Sequence, residues 1–280
     1  MRVVMTLLCR DEADIIASTL AFHLDRGVDL ILVTDNGSCD GTTTVLEAFA
    51  RGGRVRLLHQ PQHTHDQGTW VTAMARLAAL EHDADWVIHG DADEFWWAAS
   101  GDLRRQLAAV PAEVQALAVP RSNFLPPPTE APDLRAFHQS LLLRERHSCN
   151  ALGKPLPTKV CHRAHPEVTI TDGNHQALLQ GQPLASAPAD GLEILHFPVR
   201  SYSQLERKVR QGAEALARNQ RVGPEVGNTW RSLYQQLQQG NLSKYYDSLR
   251  PQDATHLQQA VELGLLLWDR RLQQALSGHG

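Results

Sequence analysis

The stretch Trp86-Val87-Ile88-His89-Gly90-Asp91-Ala92-Asp93-Glu94-Phe95 sets an apolar run directly against a cluster of carboxylates. The run has the composition of a buried strand. Carboxylates crowded at the end of such a strand repel each other and lose solvation unless a cation is at hand. A hard divalent ion such as Mg²⁺ or Mn²⁺ prefers oxygen ligands and removes that cost. Asp91-x-Asp93 therefore reads as a place to hold a metal against a diphosphate. Taken alone, the triplet also reads as an acidic surface loop, or as Asp93 capping a helix.

Working outward, the first hundred residues alternate strand and helix. Val3 to Leu8 and Leu30 to Val33 are continuous apolar runs, and Val55 to Leu58 is a third strand. Ile15, Ile16, Leu20 and Leu24 have helical spacing, with Asp11 or Asp14 as a cap and Gly27 as a stop. Further helices are expected near Thr42 to Ala50 and Thr69 to Glu81, with Trp86 to His89 as a fourth strand. Non-alternating strands separated by helices predict a parallel sheet covered on both faces. Ligands bind such sheets beyond the carboxyl ends of the strands. Cys9 to Glu12, Asp35 to Asp40 and Asp91 to Glu94 all fall there, so they share one rim.

The second half is less regular. Leu103 to Val110 reads as helix; Gln115 to Val119, Phe137 to Leu143, Thr158 to His162, Val168 to Thr171 and Leu192 to Leu195 read as strands. Pro126-Pro127-Pro128 marks an exposed loop, and Gln180 to Gly191 a second loop. From Tyr202 onward the chain is mostly helical. Residues 1–200 are expected to form one α/β domain, with 201–280 as a helical extension packed on it.

Composition sets the outer bounds. The chain has 280 residues, 42% hydrophobic and 21% charged, with a net charge of −4 and no long basic block. That is the profile of a soluble globular protein without a nucleic acid or anionic membrane as its main partner. Cys9, Cys39, Cys149 and Cys161 form no Cys-x-x-Cys pair, which argues against a zinc knuckle and for reduced thiols. No segment approaches the roughly 20 apolar residues of a membrane span. A cytoplasmic location is expected.

Several single residues have two readings. Asp35, with Asn36 beside it, can accept a hydrogen bond from a nucleobase, yet Asp-Asn-Gly-Ser is also good turn chemistry. Glu12 can contact a ribose or steady the first turn of a helix. His196 can complete a metal shell or be structural, and the same holds for His175. Arg200 has the forked donors that grip phosphate. Lys159 is a phosphate contact or a surface charge. Gly-x-Gly-x-x-Gly, Gly-x-x-x-x-Gly-Lys-Ser/Thr and Gly-x-Ser-x-Gly are all missing, which argues against a dinucleotide-binding enzyme, a P-loop nucleotidase and an α/β-hydrolase.

The motifs in order are Arg10-Asp11-Glu12 with Ile15-Ile16, Phe22-His23-Leu24, Gly27-Val28-Asp29, Asp35 to Thr42, Trp86 with Asp91 to Phe95, and His196-Phe197-Pro198-Val199-Arg200-Ser201 followed by Lys208. Together they resemble the family 2-like glycosyltransferases of the GT-A fold, in the branch related to the DUF23 or family 92 group. The resemblance is good over residues 1 to 100 and looser over 155 to 210. It implies a Rossmann-like, mostly parallel sheet flanked by helices, a divalent metal (Mn²⁺ or Mg²⁺) and a nucleotide-diphosphate-sugar donor, with uridine as the default base. It implies Thr6, Glu12 and Asp35 lining the nucleoside pocket beside Asn36, and Asp91 near the ribose or sugar. It further implies Asp93 and His196 as metal ligands, with Lys159 and Arg200 on the phosphates.

Sugar transfer to a hydroxyl acceptor needs a neutralised leaving group, an in-line acceptor and a base. The resemblance implies inversion in a single displacement. The Glu-Asp pair that supplies the base in many family 2 enzymes is missing, leaving Glu94, Asp172 and His175 as candidates. The loop from Arg121 to Pro132 and the helices after Tyr202 are expected to shape the acceptor site. A nucleotidyltransferase, or a protein that binds a nucleotide sugar or glycan without turnover, are the rival readings. A phosphatase with an aspartate nucleophile would carry its Asp-x-Asp after the first strand, not near residue 91.

Overall fold

The apolar runs become strands and the periodic segments become helices. The computed structural model describes the whole chain except residues 63–65, 129–132, 220–226, 252 and 278–280. In chain order the elements are β1 (Val3–Cys9), α1 (Ile16–Asp25), β2 (Leu30–Asp35), α2 (Thr42–Ala50), β3 (Val55–His59), α3 (Gln67–Glu81), β4 (Trp86–Asp91), β5 (Glu94–Ala98), α4 (Leu103–Ala108), β6 (Ala116–Val119), β7 (Arg121–Asn123), α5 (Phe137–Ser140), β8 (Leu143–Glu145) and β9 (Lys159–Arg163). Then come β10 (Val168–Ile170), β11 (Ala177–Leu179), β12 (Gln182–Pro183), β13 (Ser186–Pro188), β14 (Leu192–His196), α6 (Tyr202–Arg218), α7 (Asn228–Gln238), α8 (Leu242–Ser248), α9 (Ala254–Glu262), β15 (Leu266–Trp268) and α10 (Arg271–Ser277). The chain divides into two units. The first comprises Met1–Arg121 with Pro157–Ile194, and the second Ser122–Leu156 with Leu195–Gly280. The segment 122–156 thus groups with the C-terminal part of the chain.

The first unit is α/β. Its seven-stranded sheet has the order β13-β6-β9-β4-β1-β2-β3. β1 runs parallel to β2 and β4, and β2 to β3. β9 pairs antiparallel with both β4 and β6, so the sheet is mixed with one reversed strand. β1 and β2 are buried almost throughout because helices cover both faces. Crossovers β1-α1-β2 and β2-α2-β3 progress one way along the sheet and β3-α3-β4 goes back the other. Right-handed connections then put α3 on the face opposite α1 and α2. Val71, Met74, Ala75 and Ala78 of α3 pack on Val4, Leu30, Leu32 and Val87 of the sheet and on Val168 and Ile170 of β10.

The second unit is built on α6, α7 and α8, around Val199, Leu205, Val209, Leu233, Leu242 and Tyr246. Gly212 of α6 lets the Trp230 ring close in, since a Cβ there would sit 3.0 Å from it. Phe197 stacks on Phe124 at 4.3 Å and meets Phe137 edge-on at 5.1 Å. β8 and β15 form an antiparallel pair, Leu143 opposite Trp268.

Four local expectations change. Phe137 to Leu143 is not a strand: Asp133 caps a 3-10 turn at Leu134–Ala136 by accepting from Arg135 N–H, and that turn runs into α5. Pro126 is buried rather than exposed. Gln180 to Gly191 contains β12 and β13. Helix α1 has no side-chain cap; the Glu12 carbonyl starts it by accepting from Ile15 and Ile16. Part of the loop expected at the acceptor site, residues 129–132, lies outside the described residues.

Candidate active site

The strand order places a topological switch between β1 and β4, because the connections diverge there; this is where open α/β sheets bind ligands. Leu8 is level with Asp91 and Cys9 with Asp35, so the carboxyl ends of β4, β1 and β2 emerge side by side. All three acidic stretches read from the sequence stand on that rim, within the first unit.

On the β1 and β2 side, two loops are stapled together. Arg10 Nη1 donates to the Asn36 carbonyl at 2.5 Å, Asp11 N–H to Ser38 Oγ at 3.0 Å, and Cys39 N–H to Asp11 Oδ1 at 2.6 Å. Glu12, 7% exposed, donates its N–H to Thr42 Oγ1 at 2.8 Å. Asp35 accepts from Ser38 N–H at 2.9 Å, Ser38 Oγ at 2.6 Å and Thr43 Oγ1 at 2.5 Å. Asn36 Nδ2 donates to the Gln60 and Gln62 carbonyls. Asp35 and Asn36 thus shape the loops at this end of the sheet. Thr6 lies inside β1, its hydroxyl 2.7 Å from His89 Nδ1.

On the β4 side the charges interlock. The reversed strand β9 begins at Lys159, beside the end of β4. The ammonium of Lys159 lies 2.7 Å from Asp91 Oδ2 and 3.1 Å from Glu94 Oε2, with Lys159 and Glu94 buried. Burial disfavours the Lys159 charge, but Asp91 and Glu94 outweigh it and hold the ammonium above its ordinary range. Glu94 Oε1 accepts from Arg121 Nη1 at 3.3 Å, and Oε2 from Asp91 N–H at 3.2 Å. Gln67, at the start of α3, donates to Asp91 Oδ1 at 3.2 Å and accepts from Gly173 N–H at 3.2 Å.

Asp93 lies in the turn between β4 and β5, 3% exposed. Helix α1 clasps that turn with two side chains on one face. Thr19 Oγ1 donates to the Ala92 carbonyl at 2.5 Å, and His23 Nε2 accepts the Trp96 N–H at 3.0 Å. His23 Nδ1–H donates to the Thr19 carbonyl at 2.7 Å, so the ring is neutral with both nitrogens engaged. Burial pushes its pKa down to about 4.

Asp172 and His175 follow β10. Asp172 Oδ1 accepts from Gly68 N–H at 2.8 Å, one of the unpaired donors in the first turn of α3. His175 Nδ1–H donates to the Thr158 carbonyl at 2.8 Å, which leaves Nε2 as the acceptor nitrogen. Burial lowers its pKa, and Lys159 and Arg121 lower it further, while Asp91 and the Thr158 bond oppose them.

His196 and Arg200 belong to the second unit. Asn123 Nδ2 donates to the Cys149 carbonyl at 2.9 Å and to Glu145 Oε2 at 3.3 Å, which turns Asn123 Oδ1 toward His196 Nδ1 at 2.8 Å. Arg200 is fully buried and donates to the Phe197 carbonyl at 3.1 Å.

Gln67 and Thr19 carry no sequence signal of a site, and Arg121 and Asn123 are marked only as part of the loop expected at the acceptor site. The pair Thr19 and His23 leaves a structural trace only: polar residues four apart inside the apolar face of α1.

No family model matches the chain, and no curated protein does. Among solved structures it is similar to residues 1–349 of TarS from S. aureus, at 11% identity, covering 100% of this chain and 92% of that one with a TM-score of 0.45. The same TarS segment in complex with UDP-GlcNAc is similar at 11% identity, 94% and 92% coverage and a TM-score of 0.45. Glucosyl-3-phosphoglycerate synthase from Mycobacterium tuberculosis, in complex with Mn²⁺, UDP and phosphoglyceric acid, is similar at 18% identity over 43% of each chain, with a TM-score of 0.31.

Proposed function

We propose that this chain is a metal-dependent glycosyltransferase of the GT-A fold, moving a sugar from a nucleotide-diphosphate donor, UDP by default, to a hydroxyl acceptor with inversion. The observation that carries the reading is Asp91-Ala92-Asp93 at the switch point of a mostly parallel sheet, with Asp91 paired to Lys159 and Asp93 in the turn that follows.

Among the described residues, no group of three or more His, Cys, Asp or Glu side chains is arranged to hold a metal alone. Mg²⁺ and Mn²⁺ do not need one at a phosphate site, where one or two protein ligands suffice and phosphate oxygens fill the shell. Asp93 fits as such a ligand. His196, whose Nδ1–H donates to Asn123 Oδ1, is the proposed second one, as the family resemblance implies. When bound, the ion neutralises charge on the departing diphosphate. Asp91, steadied by Lys159 and Gln67, is proposed to face the ribose or sugar, with Glu12, Asp35 and Asn36 bordering the nucleoside. Thr6 would line that pocket only if its hydroxyl left His89. A phosphate would have to displace the present partners of Lys159 or Arg200 to touch either.

No helix among the described residues is long and apolar enough to cross a membrane. The four cysteines are unpaired, which supports a reducing, cytoplasmic setting.

The test is donor turnover with Mn²⁺ across a panel of nucleotide sugars. Release of nucleoside diphosphate is expected, and Asp93→Ala should bring it down to the metal-free background with the circular dichroism spectrum unchanged. Pyrophosphate as product would instead indicate a nucleotidyltransferase, and donor binding without product a binding protein. Full turnover in Asp93→Ala would remove that residue from the mechanism.

A further inference from the structure

We propose that His175 is the base that takes the proton from the acceptor hydroxyl, an inference that rests on the transferase reading above. The three candidates differ in what their acceptor atoms already do. Glu94 is fully buried, with Oε1 held by Arg121 and Oε2 by Lys159 and Asp91 N–H. Asp172 is exposed and caps α3 through Gly68. His175 is half-buried, and Nδ1–H is committed to Thr158. Its Nε2 has no hydrogen-bond partner among the described residues, and it is not among the polar atoms sealed from solvent.

The ring is also placed. Gly173 has φ +73°, and a Cβ there would lie 2.4 Å from His175 Nε2, so only glycine leaves room for the imidazole in this position. Gln67 ties Gly173 to Asp91, which couples the turn carrying His175 to the rim at the end of β4. The charged groups that act on the ring are Lys159 from β9, Arg121 at the start of β7, and Asp91 from β4. The two cations disfavour a proton on the ring in the resting state.

The step balances without another reagent. The acceptor oxygen forms a bond to the anomeric carbon as its proton moves to His175 Nε2. The bond from that carbon to the diphosphate oxygen breaks, and its electron pair leaves with the nucleotide. The imidazolium then returns its proton to solvent.

The experiment compares His175→Gln and His175→Ala with wild type, using Mn²⁺, the nucleotide sugar turned over in the donor screen and a hydroxyl acceptor that raises its turnover. Loss of a general base is expected to lower kcat by about 10²- to 10⁴-fold. UDP affinity in the presence of Mn²⁺ and the melting temperature should stay close to wild type. The acid limb of the wild-type kcat/KM profile should vanish in His175→Gln, and added imidazole should restore part of the rate of His175→Ala. A wild-type kcat and acid limb in His175→Gln would overturn the assignment of His175 alone, as would parallel loss of UDP binding and rate without imidazole rescue. Wild type that consumes no nucleotide sugar would overturn the transferase reading, and His175 with it.

Discussion

Lys159→Met should lower the melting temperature by on the order of 10 °C. Methionine keeps the length of the side chain and removes only the ammonium. That ammonium sits between Asp91 and Glu94, at 2.7 and 3.1 Å. Removing one member of a buried ionic group costs about 3–5 kcal/mol, because the remaining charge loses its partner without regaining water. Two features put Lys159→Met at the lower end. Glu94 keeps Arg121 at 3.3 Å, and the Asp91 side chain, 34% exposed, can turn to solvent. Glu94→Gln should be destabilising for the same reason, since it leaves a buried ammonium facing Asp91 alone. The double variant should lose clearly less than the sum of the single losses, because the second change removes the charge stranded by the first. Thermal and urea unfolding of the four proteins measure this. Strictly additive losses, or a Lys159→Met melting point within 2 °C of wild type, would count against the network.

Acid should unfold this protein early, through histidines that the fold keeps neutral. Among the described residues, the imidazoles of His23, His89 and His162 are fully buried. His162 Nδ1–H donates to the Arg163 carbonyl at 2.8 Å, so its Nε2 accepts from His89 Nε2–H at 3.1 Å, and His89 Nδ1 accepts from the Thr6 hydroxyl at 2.7 Å. An added proton would set two donors face to face at one of these bonds. Burial pushes the pKa of His23 and of His162 down to about 4, and burial together with His162 and Lys159 holds His89 well below its usual value. Between pH 6.5 and 4 the unfolded chain therefore binds more protons than the folded one, and stability falls as pH falls. Stability from this source is complete above about pH 6.5; at pH 5, His23 and His162 should each have lost about 2 kcal/mol of it. His89 acts in the same direction. Urea unfolding at pH 7.5 and pH 5 should show the loss, and His23→Gln, which keeps an acceptor for Trp96 N–H without titrating, should show less of it. Equal wild-type stability at the two pH values would defeat the argument.

Much of the first unit can be read from local pattern. The runs at Val3, Leu30, Val55 and Trp86 are strands because they are apolar throughout, and the helices between them force a parallel arrangement. The shared rim follows from that alone. The antiparallel insertion of β9 between β4 and β6 could not be read, since pairing between distant strands leaves no local periodicity. The stretch Phe137 to Leu143 has the apolar content of a strand, but Asp133 ahead of it caps a 3-10 turn that runs into α5. In the site, Asp91 and Asp93 announce themselves as charge at the end of a buried strand. The different circumstances of Glu94, Asp172 and His175 do not, because they depend on Arg121, Gly68 and Thr158, each 17 or more residues away in sequence.

The clasp of Thr19 and His23 makes helix α1 a lever whose short arm ends at Ala92. Its outer side carries exposed Ala17 and Asp25, which touch no part of the chemistry. Shortening Thr19 or His23 would remove a bond that ties the helix to Ala92 or Trp96, on either side of Asp93. With Asp93 in its proposed role, the first helix of the chain would thus share in holding the cation's seat.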